Sequence, residues 1–457
     1  MKKNKVLKYV SFLILGLVLL TWILPGTVFQ NGKFEVLGRN QIGLNYFGAN
    51  ITVMLQYFSL FSIYLLMIGA FYGVLFKTGG YLKLQEKVAK LFKGKEWVYL
   101  LLVILLFGLI TSITGINLGL VFLFPAVITT ILLLGYDRLT AIFATVGSIG
   151  VGMLGSTLGE RNVIGVSSIL NTKLGDNMPI KVGFLIVGLL LLALFVIKEG
   201  NDKLNANVDK KEIVLPKNRD KGNYTWPIVV IMFLLTATFM LAHIDWQQTF
   251  KVDAFAKMVT KIPEVKIGEF PIFAKLLGKV VPFGQWSYPQ LISVLFIATL
   301  IVQIIYRIKT KEYIEGFTNG IKTAVKPALV SFALSFITLI VVDRSLLFTV
   351  IRPILQMSKK FNVLTTSFAG LISQLMLPDT FYGTYTFLPY FSGVKNVKAI
   401  ALLWQALQGL GVIILPTSIL LATTLTYLET SYKNYFKRIW KFATIMFIII
   451  LIVCAII

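Results

Sequence analysis

GSIGVGMLGSTLGERN, residues 147–162, decides how this chain is read, because a weaker copy, GLGVIILPTS, stands at residues 409–418. Within them GVGMLGST (150–157) aligns with GVIILPTS (411–418) as Gly-Val-x-x-Leu-[Gly/Pro]-[Ser/Thr]-[Ser/Thr]. The approach to each copy repeats in order: Gly108-Leu-Ile-Thr111 against Gly370-Leu-Ile-Ser373, Phe124-Pro125 against Leu388-Pro389, and Ala141-Ile142 against Ala399-Ile400. A nearly constant offset points to a duplicated unit. In both copies an apolar helix runs into a small, hydroxyl-bearing, helix-breaking turn. Interrupted helices at membrane depth leave backbone N–H and C=O groups free for a solute, the build of a secondary transporter's substrate site.

Composition sets the surroundings. Hydrophobic residues make up 56% of 457, and mean hydropathy is +0.81. That excludes an ordinary soluble domain and indicates a polytopic membrane protein. The apolar runs are continuous rather than alternating, so the spans are helices and not barrel strands. The net charge of +24 lies between apolar runs, which marks topology and attraction to anionic membrane lipid rather than nucleic acid. Cys454 is the single cysteine and His243 the single histidine. Neither a disulfide framework nor a zinc site can be built from them within one chain. No cofactor is expected.

Taken in order, residues 1–9 carry Lys2, Lys3, Lys5 and Lys8 ahead of an apolar run with no small-x-small cleavage site. This predicts a retained first helix with a cytoplasmic N-terminus, in a multi-pass protein of the cell membrane. Residues 26–50 form an outer loop, 51–76 a span, and 77–96 an amphipathic helix on the inner membrane surface. Residues 97–134 are either two full spans or include a re-entrant hairpin. The first copy follows, between an inner loop (135–138) and an outer one (171–177). Residues 1–197 make the first half and 198–225 a charged cytoplasmic linker. The second half, 226–457, has an outer loop at 247–286, a second interfacial helix at 307–326 followed by a separate span at 327–342, and an irregular segment at 377–391. Its copy lies between an outer loop (394–398) and an inner one (429–441). The two copies are therefore inverted. The expected fold is all-α, with about ten to twelve transmembrane helices in two inverted repeats carrying re-entrant hairpins and broken helices.

TWILPGTVF (21–29), IGAFYGVLFKTGG (68–80), LFKGKE (91–96), LGYDRLTAI (134–142) and ILPTS with the basic run before the last helix resemble the YfcC family. Its members are described as C4-dicarboxylate anaerobic carriers, include arginine–ornithine antiporters, and belong to the ion transporter superfamily. The resemblance covers nearly the whole chain. It implies inverted repeats, a homodimer, alternating access, and a site including Gly155, Ser156, Thr157, Pro416, Thr417 and Ser418. Two departures matter. Gly115 is followed by Ile116, Asn117, Leu118 and Gly119 where the family has a Gly-x-x-Glu-Glu-like segment, and Gly159, Glu160 and Arg161 stand where it has Asn-Pro. Substrate choice is not inherited across them.

Each candidate has a plainer reading beside it. Ser156, Thr157, Thr417 and Ser418 either bind solute or cap broken helices. Glu160 and Arg161 either hold the ammonium and carboxylate of a zwitterion or pair with each other. Asp379 and Thr380, after Pro378 in the irregular segment, fit the tip of an opposing hairpin, where a carboxylate would meet a cationic group or a coupling proton. Asn117 and Thr114 are polar contacts in the first-half break. Asp343 and Arg344 read as a structural ion pair, and His243 as an interfacial residue. The aromatics of residues 382–391 either line a cavity or face lipid.

The function expected is secondary transport of a small charged organic solute, first an amino acid and second a C4-dicarboxylate or other carboxylate. Coupling is to H⁺, to Na⁺ or to a counter-substrate. No Walker A loop is present to bind ATP. The rival classes are a membrane-embedded acyl- or glycosyltransferase, which would need an acid/base or metal cluster, and a degenerate transporter retained as receptor or scaffold.

Overall fold

The computed structural model describes residues 5–457 except 203, 205–223, 266–269, 273–274, 276–277, 279 and 359–360, and it does not describe the side chains of 5, 57–58, 160–164, 248 and 263. The helices used below are α1 (Lys5–Ile23), α2 (Leu44–Val53), α3 (Leu60–Leu75), α4 (Gly79–Leu91), α5 (Glu96–Thr114), α6 (Phe124–Leu133), α7 (Arg138–Ile142), α8 (Ser148–Leu154), α9 (Glu160–Leu170), α10 (Met178–Asn201) and α11 (Trp226–His243). Then come α12 (Trp246–Phe250), α13 (Ala254–Lys261), α14 (Tyr288–Ile305), α15 (Thr310–Asp343), α16 (Leu346–Gln356), α17 (Val363–Met376), α18 (Thr380–Phe387), α19 (Val397–Ile414), α20 (Ile419–Tyr427) and α21 (Tyr432–Ile456).

Among the described residues eight helices are long and apolar enough to cross a membrane, or nine if Leu44–Gln56 and Leu60–Leu75, bent by 59°, make one span. Four shorter apolar helices, Leu118–Leu133, Arg138–Leu154, Leu346–Gln356 and Val363–Met376, complete the set. Within residues 97–134, Glu96–Thr114 has spanning length and Leu118–Leu133 falls short of it.

The order of elements recurs. A long helix (α3, α15), an amphipathic helix (α4, α16), a helix ending in a break (α5, α17), a short return (a 3-10 turn at Leu118–Leu123 with α6, or α18), a broken helix (α8 to α9, α19 to α20) and a closing helix (α10, α21) appear twice. Corresponding helices pack against each other and run antiparallel. A Cβ on Gly69 would meet Gly320 O at 2.5 Å and Ala324 at 2.7 Å, and one on Gly316 would lie 2.8 Å from Gly73 O. As α3 advances, its partner on α15 retreats. The same holds at the α8/α19 crossing, where Gly150 meets Gly409 and Ile413 while Gly409 meets Leu154. Glycine is required at these crossings because the neighbouring atoms are backbone, which cannot swing aside. Antiparallel contact between equivalent helices is the geometry of inverted repeats.

Ion pairs gather the loops into two faces. On one, Lys77 meets Glu315 at 3.0 Å, Lys326 meets Glu429 at 3.1 Å, and Arg438 bridges Asp137 at 2.5 Å and Glu199 at 3.1 Å. Arg138 also donates to the Leu428 carbonyl at 2.9 Å. On the other, Asp176 meets Lys398 at 3.1 Å and Thr27 N–H donates to the Ser345 carbonyl at 2.9 Å. These are the groupings that the alternation of spans requires.

Three features differ from the sequence reading. The second interfacial helix and the following span form one 34-residue helix, α15, that runs through Pro327. Its Gly316 and Gly320 pack on α3 and hold the basic half in line with the apolar half. The outer loop at 26–50 contains an antiparallel pair, β1 (Thr27–Gln30) with β2 (Lys33–Val36), joined by Asn31 (φ 50) and Gly32 (φ 75). Asn-Gly with both φ positive is the type I′ hairpin turn. Finally, residues 198–201 of the expected linker continue α10, and most of the remainder lies outside the described residues.

Candidate functional site

In the first half, α5 stops at Gly115, whose left-handed backbone (φ 71) turns the chain away. Thr114 Oγ1 then accepts the Ile116 N–H at 3.2 Å, so the Ser112 carbonyl loses its helical partner. The broken helix fills that vacancy. Ser112 O accepts Thr157 N–H and Gly159 N–H, both at 3.0 Å, and the Thr157 hydroxyl at 3.2 Å. Ser112 Oγ lies 2.8 Å from the Gly155 carbonyl, to which it donates, and 3.1 Å from Thr157 Oγ1. Ser156 Oγ donates to Gly159 O at 3.2 Å, and the Ser156 carbonyl accepts Gln405 Nε2 at 2.8 Å. Gly155 has no room for a side chain, since a Cβ would lie 2.6 Å from Leu185 N. The break at 155–159 is thus stitched to α5 and α19, and the hydroxyls of Ser156 and Thr157 hold protein groups.

The second break is different. After Ile414 the backbone extends at Leu415, and Pro416 cannot supply the next helical N–H. The carbonyls left at the end of α19 are covered by tyrosines: Tyr435 donates to Ile413 O at 2.8 Å, Tyr432 to Ile414 O at 2.6 Å, and Tyr9 to Pro416 O at 2.8 Å. Ser418 caps α20 by accepting Leu421 N–H at 3.3 Å. The Thr417 hydroxyl is buried without a partner.

Beside this break lies a cavity of about 210 Å³, with Asn117, Met153, Gln374, Asp379, Ser418 and Leu420 in its wall. A second, of about 360 Å³, is lined by His243, Ser287, Thr384, Tyr385 and Gln408 among others. The two share Asn117, Tyr288, Thr380 and Phe381 and so border one another. Asp379 Oδ1 accepts the N–H groups of Phe381 (2.8 Å) and Tyr382 (3.2 Å), which starts α18. Its Oδ2 has no hydrogen-bond donor among the described residues. Among the described residues Asp379 is the one carboxylate in either wall, and no described lysine or arginine stands there.

Four residues singled out by sequence, Asn117, Asp379, Thr380 and Ser418, therefore meet in these cavities. Gly155, Ser156, Thr157, Pro416 and Thr417 sit behind the wall. The side chains of Glu160 and Arg161 lie outside the described residues. Thr114 bonds back to Ile110 O at 2.7 Å, and Asp343 pairs with Arg344 at 3.2 Å. His243 is buried, 7% exposed, with Nδ1 2.8 Å from Phe239 O, and it forms part of the larger cavity's wall. Sequence reasoning passed over Gln374, Gln405 and Gln408. Their signal was available as glutamines within apolar runs at membrane depth, where a polar side chain needs a partner.

The family model described as C4-dicarboxylate anaerobic carrier (DcuC) matches residues 5–457. The chain belongs to that family. Its apolar helices are those of a multi-pass membrane protein. An uncharacterized protein of Haemophilus influenzae is 23% identical over 271 residues, covering 59% of this chain. The match spans 48%, about half, of that relative's length. The crystal structure of the Alcanivorax borkumensis YdaH transporter, described as having an unusual topology, is similar over 99% of this chain and 98% of its own, at 13% identity and a TM-score of 0.42.

Proposed function

We propose that this carrier is a secondary active transporter of an amino acid, held between the two hairpin tips and the second broken helix. The observation that carries this reading is the Asp379 carboxylate. One oxygen is engaged in capping α18, and among the described residues the other has no lysine or arginine beside it in the wall. A solute ammonium or guanidinium supplies the missing charge; without it, a carboxylate at membrane depth is costly. The N–H groups at the start of α20 favour a carboxylate on the same solute. Those N–H groups and the family's description favour a C4-dicarboxylate as the second reading. Two carboxylates beside Asp379 would, however, place three like charges together.

The sequence's resemblance to the YfcC family, with its arginine–ornithine exchangers, supports the amino acid reading. In this reading the N-terminus is cytoplasmic, the membrane is the cell membrane, residues 1–197 and 226–457 are the two halves, and the assembly is a homodimer. Coupling is by exchange or by H⁺ or Na⁺. The test is uptake by proteoliposomes preloaded with arginine, ornithine, other amino acids, succinate or fumarate, with and without Na⁺ and at two pH values. Amino acid exchange supports the proposal; dicarboxylate uptake alone replaces it with the second reading.

A further inference from the structure

The two halves place different residues at equivalent points around their breaks. Ser112 follows Thr111 as Gln374 follows Ser373, and Gly155, Ser156 and Thr157 correspond to Pro416, Thr417 and Ser418. In the first half Ser112 saturates the break, touching Gly155 O and the Thr157 hydroxyl. In the second half Gln374 makes no such bond. The residue is 8% exposed, and its Nε2 is buried without an acceptor. Gln374 is pressed against Gly411, where any Cβ would collide with its Oε1. It also forms part of the wall that holds Asp379, Ser418, Ile419 and Leu420.

A buried amide N–H with no acceptor is an expensive arrangement unless something else supplies the acceptor. The neighbouring start of the nine-residue α20 offers further donors and the positive end of a helix dipole. We infer that Gln374 reads the carboxylate of the bound solute: a carboxylate oxygen takes the place in the second half that Ser112 and Thr157 fill in the first. The inference rests on the reading of this cavity as the solute site. Rotation about the last side-chain bond exchanges the amide N–H with the oxygen that lies against Gly411, itself part of the cavity wall. The carboxylate then lies between this amide and the α20 N-terminus, and Asp379 takes the cationic group. The first break is the structural copy, and the second is the one that binds.

The test uses the full chain in nanodiscs and compares each amino acid with the amine that lacks its carboxylate: arginine with agmatine, ornithine with putrescine, alanine with ethylamine. Dissociation constants are measured for the wild type, for Gln374→Met, which keeps length without polarity, and for Gln374→Glu. In the wild type at least one amino acid binds tighter than its amine. Gln374→Met weakens that amino acid by about tenfold or more, as for loss of a hydrogen bond to a charged group, and leaves the amine unchanged. Gln374→Glu lowers the amino acid's affinity further through charge repulsion. Equal weakening of both ligands by Gln374→Met assigns the residue a structural role and overturns the inference, as does an unchanged preference. If wild type binds neither ligand of any pair, the site reading itself fails and takes this inference with it; binding with an intact preference in Gln374→Met defeats the inference alone.

Discussion

Asn117 and Asp379 hold the same place in the two halves. Each lies six residues beyond its anchor, Thr111 or Ser373, and each turns a side-chain oxygen onto the N–H groups that begin the returning arm of its hairpin. Asn117 Oδ1 accepts Leu118 N–H at 2.5 Å, and Asp379 Oδ1 accepts Phe381 N–H at 2.8 Å. Both stand in the wall of one cavity, so the inverted pair presents an amide on one side and a carboxylate on the other.

Because asparagine caps helices about as well as aspartate, Asp379→Asn separates charge from structure. The variant keeps its stability within about 0.5 kcal/mol, read as an unchanged melting temperature. Asn117→Asp, in contrast, puts a second carboxylate into the wall. It favours a dication such as agmatine over a zwitterion, read as a reversed order of dissociation constants.

Ser112→Ala removes the hydroxyl that holds Gly155 O and leaves that buried carbonyl short of a donor. The expected loss is about 1–3 kcal/mol, measured by thermal or denaturant unfolding in detergent. Thr417→Val is the matched control. Its hydroxyl has no protein partner, so a methyl of similar shape leaves stability unchanged or slightly raised.

At the α3/α15 crossing Gly320→Ala places a methyl about where the Gly69 carbonyl lies, with Gly69 C at 2.7 Å from the ideal Cβ. Backbone on both sides makes the clash costly, on the order of 1–3 kcal/mol. Gly16→Ala on α1 meets nothing within 4 Å, and it raises stability by up to about 1 kcal/mol through helix propensity. Opposite shifts in melting temperature check the pair.

The Arg438 guanidinium joins Asp137, ahead of α7, to Glu199, near the end of α10, and stacks 5.2 Å above the Phe143 ring. Arg438→Met leaves the two carboxylates unpaired at a half-buried position. The cost falls between exposed and buried ion-pair values, about 1–3 kcal/mol. Arg438→Lys recovers only part of it, since one ammonium cannot bridge both partners in the same geometry.

Asp176, in the loop before α10, is held below the usual carboxylate range by the Lys173 backbone N–H and then by Lys398. A lowered pKa adds stability above the unfolded value near 3.9, and that contribution is lost as pH falls through the folded value. Asp176→Asn is therefore slightly destabilising at pH 7, and the difference from wild type shrinks toward zero in acid. Melting curves at pH 7 and pH 3 show the convergence.

The repeat was legible because breaks are written in residue chemistry: Gly115, Pro416 and the Ser/Thr turns cannot continue a helix whatever surrounds them. The tip carboxylate Asp379 was legible for a similar reason, since charge is rare in such a chain. What the sequence hid were long-range partners. Nothing near Ser156 announces that Gln405, on the other half, will take its carbonyl, or that Tyr9 from the first helix will cover Pro416. The continuity of α15 through Pro327 was hidden because local composition shifts from basic to apolar there, while packing on α3 decides the backbone. The β1/β2 hairpin was missed although Asn31-Gly32 is a strong turn signal, because hydropathy alone treats an outer loop as featureless.

The central claim is that Asp379 supplies the charge that selects the solute. Titration of arginine, ornithine, alanine and succinate into wild type and Asp379→Asn by calorimetry in nanodiscs tests it most directly. The account predicts saturable amino acid binding to wild type, weakened about tenfold or more in the variant, with no succinate binding to wild type. Equal amino acid affinities in the two proteins, or succinate as the tighter wild-type ligand, would contradict it.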